Sequence, residues 1–436
     1  MSIPEIATNM QALLGPKANE LALKTGFVQR ASKVDGAVFA RTLVLGWMGN
    51  PNASLQDLTQ TAEATGVKVT PQGLDERFGR KAADFLKALL EEAVAQLVSA
   101  EPVVHPLLGR FAGVYVLDST VIPLPVSLEE VWMGCGGTNG STAALKLQVR
   151  LDMCTGALEG PYLAPGREHD RHSPAQKAPL PRGGLRIADL GFYDLQTLAT
   201  YDAQGVYFLT RILINTLIYD DNGERMELEQ FLAGIHGDEV EVQVRLGRTA
   251  QLPVRLVARR VPMEVLGKRL SRLKDNARKK CQPLSQRTIS VAGWNVYVTN
   301  VPAEKLSASE GHVLMRIRWQ IELLFKLWKD EGRLDESRSR NPWRVLCEIY
   351  AKLISLIIQH GILLTCCWRI LDRSLTKAAR TLRGFGMAIA SQFHSLSDIC
   401  EILQLLDRIL PAGCHLNRRA EPNSYQLLLP EGCEEA

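Results

Sequence analysis

The chain has 436 residues, 46% hydrophobic and 22% charged, with 51 Lys plus Arg against 47 Asp plus Glu. At ~100–200 residues per domain this length holds two to four domains, and the low charge with ordinary apolar content excludes intrinsic disorder. The formal charge of +4 does not by itself indicate nucleic acid, so any polyanion-binding face must come from local clustering. Nine scattered cysteines without a C-x-x-C pair argue against a disulfide scaffold or zinc ribbon and for a reducing cytosol. The start, Met1-Ser-Ile-Pro-Glu, lacks the basic and apolar segments of a secretory signal. The longest uncharged apolar run, Leu353 to Trp368, spans about 24 Å as a helix, short of the ~30 Å hydrocarbon core, and reads as a buried helix.

Residues 1 to 105 read as helical. Leu55, Leu58 and Ala62 recur at helical spacing after the N-cap Ser54, Gly66 breaks that helix, and Thr70-Pro71 opens the next with Leu74 and Phe78 inward. Such a pair suits a helix-turn-helix offering Gln72, Glu76 and Arg77, or simply two helices packed on each other. Residues 1–101 carry 10 Lys or Arg and 11 Asp or Glu, so they supply no basic footprint.

Strands follow. Gly113 to Asp118 is an apolar run ending in a carboxylate, and Leu145 to Asp152 alternates with period two. A turn at Gly156 and another short strand complete an antiparallel meander, and a Pro/Gly-rich loop is expected from Pro161 to Gly184. Leu185 to Asp189 is a second apolar strand ending in Asp, Asp194 to Ala203 a helix, and Val206 to Arg211 a strand. The order predicts an α/β fold with a mixed sheet.

From residue 212 a β-rich insertion is expected, with strands at Glu239–Leu246, Leu252–Ala258, Thr288–Val291 and Trp294–Thr299. It contains the one strongly basic segment, Arg259 to Lys280, with nine Lys or Arg against Glu264 and Asp275. Leu266, Leu270, Leu273 and Ala277 share a helical face there, leaving Arg269, Arg272 and Lys279 off it, for DNA or as a solvated charged face.

Val313 to Asp330 reads as one amphipathic helix with Leu314, Ile317, Ile321, Leu324, Phe325 and Trp328 on its apolar side. Arg318, Glu322 and Lys329 fall on a neighbouring stripe beside Met315, which by itself also fits a solvent-facing charge ladder. Asp118 and Asp189, each at the end of an apolar strand, change that balance. If their strands are neighbours, both carboxylates and Glu322 converge where open α/β sheets form crevices. Three uncompensated carboxylates repel unless hard divalent cations neutralise them, and oxygen-only ligands select Mg²⁺ or Mn²⁺ over zinc. The stretch Arg167 to His172 is a polar loop rather than a zinc site, since nothing completes its histidines. Trp294 reads as core and Trp319 as a neighbour of Arg318, though either indole suits a flipped base.

These blocks resemble the catalytic regions of DDE transposases. Asp118-Ser-Thr, Asp189-Leu-Gly-Phe and Met315-x-x-Arg318-x-x-x-Glu322, with Lys329 after six more residues, are similar to the insertion sequence four family and its Tyr-Arg-Glu-Lys signature. The wording Arg318-Trp-Gln-Ile-Glu-Leu-Leu-Phe-Lys326 agrees, and the likeness covers roughly residues 25 to 370.

The resemblance implies a ribonuclease-H-like mixed sheet interrupted by the β-rich insertion. Its division is a helical N-terminal domain (1–105), a core in two parts (106–211 and 306–374) around the insertion (212–305), and a helical C-terminal region (375–436). Asp118, Asp189 and Glu322 would be catalytic and hold two Mg²⁺ ions, with Mn²⁺ as a substitute, while Arg318 and Lys329 grip a DNA phosphate. Arg269, Arg272, Lys279 and Trp319 are further candidate DNA contacts. The implied partners are double-stranded DNA, as terminal inverted repeats and target, and a second copy of the chain in a synaptic homodimer. The implied setting is the bacterial cytosol, at the nucleoid, with no membrane. Met315 replaces the signature Tyr, so the phenolic hydroxyl that would hold a phosphate is missing. That keeps a second reading open, a catalytically weak DNA-binding regulator, against which stand the three retained carboxylates.

Overall fold

The computed structural model describes residues 2–97, 105–136, 141–279, 281, 283–370 and 372–416. Ten strands are present among the described residues: β1 (Val114–Pro123), β2 (Ala144–Asp152), β3 (Leu158–Pro165), β4 (Leu185–Ala188), β5 (Tyr207–Thr210), β6 (Ile218–Tyr219), β7 (Arg225–Met226), β8 (Glu239–Leu246), β9 (Leu252–Arg260) and β10 (Trp294–Thr299). They form one sheet in the order β3-β2-β1-β4-β5-β10-β9-β8-β6-β7. The first three are the antiparallel meander read from the sequence, and β4 and β5 lie parallel to β1. The mixed α/β architecture is therefore as expected.

The insertion extends this sheet. β10 pairs antiparallel with β5, and β9 and β8 continue outward from it. Pairing in this way covers the backbone edge that β5 would otherwise expose, and the two-residue strands β6 and β7 bring the sheet to a close. β4 is buried along its whole length, as a strand covered on both faces must be, whereas β8 alternates because one face stays wet.

Two segments differ from expectation. The stretch from Pro161 is not loop at first, because β3 runs to Pro165; it is a sheet edge, where a missing N–H costs no ladder bond. Thr288–Val291 is not a strand. Ser285 accepts a hydrogen bond from the Thr288 N–H and caps a helix, Gln286–Ala292, so a capping residue outweighs the β-branched side chains.

The helices build the core around Pro342–Cys367, which Asn341 caps by accepting from the N–H groups of Trp343 and Arg344. One apolar cluster joins this helix to residues from Ile6 near the amino end to Cys414, and includes Val114, Val116, Leu145 and Leu147 of the sheet. By length and composition it is the one helix among the described residues that qualifies to cross a membrane, but 94% of its apolar window is buried in protein. The eight cysteines among the described residues are free.

Ser54 and Thr70 cap their helices as read from the sequence, over Leu55–Ala64 and Pro71–Asp75. Leu74 and Phe78 are buried, and Gln72 and Glu76 are exposed. Arg77 is not offered outward, because its guanidinium donates to Val34 O and Ser32 Oγ at 3.1 and 3.0 Å. An ion pair of 2.8 Å from Arg344 to Asp75 ties this helix pair to the start of the central helix.

Candidate active site

Asp118 does not end its strand, as the apolar run suggested. It lies in the middle of β1, because the antiparallel partner β2 keeps pairing as far as Pro123. The parallel partner β4 stops earlier, with Ala188 opposite Leu117. Asp118 is thus the first β1 residue beyond the parallel pairing, and Asp189 the first residue beyond β4. The register sets the two carboxyl-bearing residues side by side where the strands part, which is where crevices form in such sheets. Among the described residues, no side-chain hydrogen bond or ion pair falls on Asp189.

The third carboxylate arrives on a helix that the sequence reads as continuous and the structure divides. Ala308–Ile317 opens with a capping box between Ser307 and Glu310, Arg318 interrupts it, Trp319–Lys326 follows, and Leu327–Glu331 closes as a π-helical turn. The apolar face is as predicted: Leu314, Ile317, Ile321, Leu324, Phe325 and Trp328 are all buried. Burying that face turns Arg318 and Glu322 towards β1. Arg318 Nη1 reaches Asp118 Oδ2 at 3.1 Å, and its Nη2 reaches Glu322 Oε1 at 2.5 Å. Asp118 Oδ1 accepts the Ser119 N–H at 2.8 Å.

Burial pushes the Asp118 carboxyl up to about 6; the Ser119 N–H and the Arg318 charge pull it down, and the Glu322 and Asp189 charges push it up again. Both other carboxylates are therefore felt at Asp118. No three carboxylates, imidazoles or thiols close on one point as a finished cage among the described residues. Instead a guanidinium bridges two of the three. A hard, oxygen-only donor set that is short of positive charge fits a divalent cation.

Lys329 lies on the π-helical turn, and its Nζ donates to Val121 O of β1 at 3.0 Å. Both signature cations thus rest on the same strand, three residues apart. The turn is held from outside by Glu331, which accepts from Arg380 Nε and Nη2 and from Arg383 Nη2 on the Leu375–Arg383 helix. Sequence reading missed this clamp. The cations Arg380 and Arg383 were legible on an amphipathic helix, but nothing local names their partner.

The remaining candidates are spread out. Trp319 is 56% exposed beside the carboxylates, while Trp294 is buried under the Arg260 guanidinium, 4.4 Å from its ring centre. The basic segment forms the helix Met263–Lys279, with Leu266, Leu270, Leu273 and Ala277 half-buried. Arg272 and Lys279 are exposed, but Arg269 donates to Ala292 O, Trp294 O and Asn295 Oδ1 and so fastens this helix to the start of β10. In the polar loop, Asp170 pairs with Lys146 of β2 at 3.2 Å, and Arg171 Nε donates to His172 Nε2.

Residues 109–358 match the family described as the transposase DDE domain, and the chain belongs to that family. Its fold class is accordingly ribonuclease-H-like, and its kind of enzyme a DDE transposase of the insertion sequence four group. Among its relatives is the transposase for insertion sequence element IS231F of Bacillus thuringiensis subsp. israelensis, 29% identical over 416 residues, spanning 89% of this chain and 86% of that protein. The transposase for IS231E of B. thuringiensis subsp. finitimus is 28% identical over 432 residues (93% and 89%). The transposase for IS1151 of Clostridium perfringens is 25% identical over 394 residues (85% and 82%).

Proposed function

We propose that this transposase cuts the ends of an insertion element and joins them to target DNA at a single site made by Asp118, Asp189 and Glu322. The observation that carries this reading is the convergence of Asp118 and Glu322 on one cationic group where the β1–β4 pairing ends beside Asp189. These three residues would hold the divalent cations of the family, Mg²⁺ by the hardness of the donor set, with Mn²⁺ as a substitute. Two such ions, when bound, lower the pKa of an attacking water or 3′-hydroxyl and stabilise the leaving oxygen of an in-line displacement.

The chain's own side chains do the rest. Arg318 and Lys329 hold a non-scissile phosphate and fix the strand, and a shift of ~1 Å in that position costs on the order of 100-fold in rate. Trp319 offers an exposed indole to a base next to the cut. Arg272 and Lys279 meet the backbone farther along the duplex, on a helix that Arg269 keeps in place. Residues 259–280 carry nine Lys or Arg against two acidic residues, so the main electrostatic grip lies in the insertion rather than in residues 1–101. The substrate is double-stranded DNA, as inverted repeats and target, met in the cytosol at the nucleoid. Joining two ends at once calls for a homodimer.

The test is Mg²⁺-dependent nicking of DNA that carries the element's own inverted repeats. Wild-type nicking that disappears in Asp118→Asn and in Glu322→Gln supports the reading, and undiminished nicking in both sinks it. Tight, specific binding with no nicking at all favours the regulator that Met315 left open.

A further inference from the structure

The best-placed cation in the crevice is engaged by the carboxylates themselves. Arg318 Nη1 and Nη2 lie 3.1 and 2.5 Å from Asp118 and Glu322, with the arginine side chain only 14% exposed. Two of the three groups given above to divalent cations are therefore already bridged, and half compensated in charge, by a guanidinium fork that draws on the same oxygens a metal needs. One positive charge shared by two carboxylates leaves Asp189 with none. The helix tightens at this very residue: Arg318 keeps helical angles, φ −48°, ψ −30°, and its carbonyl accepts from the Ile321 N–H, a tighter step than the regular α-helical one.

We infer that Arg318 is an internal counter-ion. It holds Asp118 and Glu322 together before metal arrives, and the metal displaces it, so that completing the metal site releases the guanidinium to a DNA phosphate. The inference rests on the reading of Asp118, Asp189 and Glu322 as metal ligands. It makes metal and DNA act on one latch from opposite ends, so each strengthens the binding of the other, typically by 5–150-fold. Lys329 has no part in such a link, because its ammonium rests on the Val121 carbonyl and not on a carboxylate.

The experiment is a titration of the full chain with Mn²⁺, reading free Mn²⁺ by electron paramagnetic resonance, with no turnover. Arg318→Gln should bind Mn²⁺ about tenfold more tightly than wild type. It should also melt at a lower temperature without metal and recover when Mn²⁺ is added. Arg318→Lys, which keeps the charge but not the fork, should fall between the two. Adding a duplex of arbitrary sequence should tighten Mn²⁺ binding by wild type and leave Arg318→Gln unmoved. Equal or weaker Mn²⁺ binding by both Arg318 variants overturns the inference while Asp118→Asn and Glu322→Gln still abolish binding. If those two carboxylate variants leave wild-type Mn²⁺ binding untouched, the ligand reading itself fails and the latch falls with it.

Discussion

Two i,i+4 ion pairs, one in the crevice and one in the core, look alike in sequence and differ in what surrounds them. In the central helix Glu348 precedes Lys352, both almost wholly buried, at 2.8 Å. Lys352 Nζ also donates to the carbonyls of Arg333 and Glu336, and the second Glu348 oxygen accepts from Ser337 Oγ. Every polar atom of that pair is answered and its charges cancel. In the crevice Arg318 precedes Glu322, the less favourable order for a helix, and one guanidinium faces three carboxylates of which it reaches two. The contrast separates a charge-balanced pair that holds the fold from one short of positive charge, on charge balance and not on distance.

That contrast is open to attack by mutation. Lys352→Met leaves the Glu348 carboxylate buried without a countercharge and should cost about 3–5 kcal/mol in urea denaturation, whereas replacing both residues by apolar ones of similar size should recover most of the loss. Asp118→Asn should do the reverse in the absence of metal. A carboxyl pushed up to about 6 makes the charged form unfavourable at neutral pH, so the asparagine protein should be more stable than wild type by about 3 kcal/mol at pH 7 in chelator, and less active. A loss of stability there would show that the crevice carboxylate is structural after all.

A third test uses His360, which is buried in the same central helix with Nε2 at 2.8 Å from Gly156 O. Burial pulls its pKa from 6.5 down to about 4. The unfolded chain then binds the proton first, so stability is intact above pH 6.5 and falls as the pH drops through this window, by about 3 kcal/mol at the acid end. His360→Gln should flatten that part of the melting-temperature profile, and an unchanged acid limb would remove His360 as its cause. The smallest effect belongs to the clamp on the turn that carries Lys329. Glu331→Gln weakens bonds from Arg380 and Arg383 and should cost about 1 kcal/mol of stability. Because the clamp positions the turn that carries Lys329, kcat for nicking should fall with KM for DNA little changed; an unchanged kcat would confine Glu331 to stability.

Much of this was legible in the residues, and the reasons differ from part to part. The apolar face of the helix that carries Glu322 and the caps at Ser54 and Thr70 depend on local spacing, which a sequence displays, whereas Asp118, Asp189 and Glu322 were singled out from strand ends and a family pattern. The position of Asp118 inside β1 was not legible, because it depends on β2 outlasting β4 along the same strand. The helix at Gln286–Ala292 was misread because β-branched composition pointed one way and the Ser285 cap another. Long-range partners stayed hidden: neither Glu331 with Arg380 and Arg383 nor Arg318 with Asp118 has any local signature, since each pairing exists only once the helices have docked.

The unbroken run of strands from the crevice into the insertion makes the sheet a measuring stick. Three strand spacings of ~4.8 Å separate β4 from β9, and the register sets Arg260, at the end of β9, four residues farther along the strands than Ala188, so the basic helix that follows β9 begins roughly 20 Å from the end of β4. At ~3.4 Å per base pair that is about six base pairs of duplex. If the proposed function holds, the cut and the nearest backbone contact of the insertion should keep a fixed phase along the DNA, and a footprint that begins about six base pairs from the element's end would carry the sheet's own spacing.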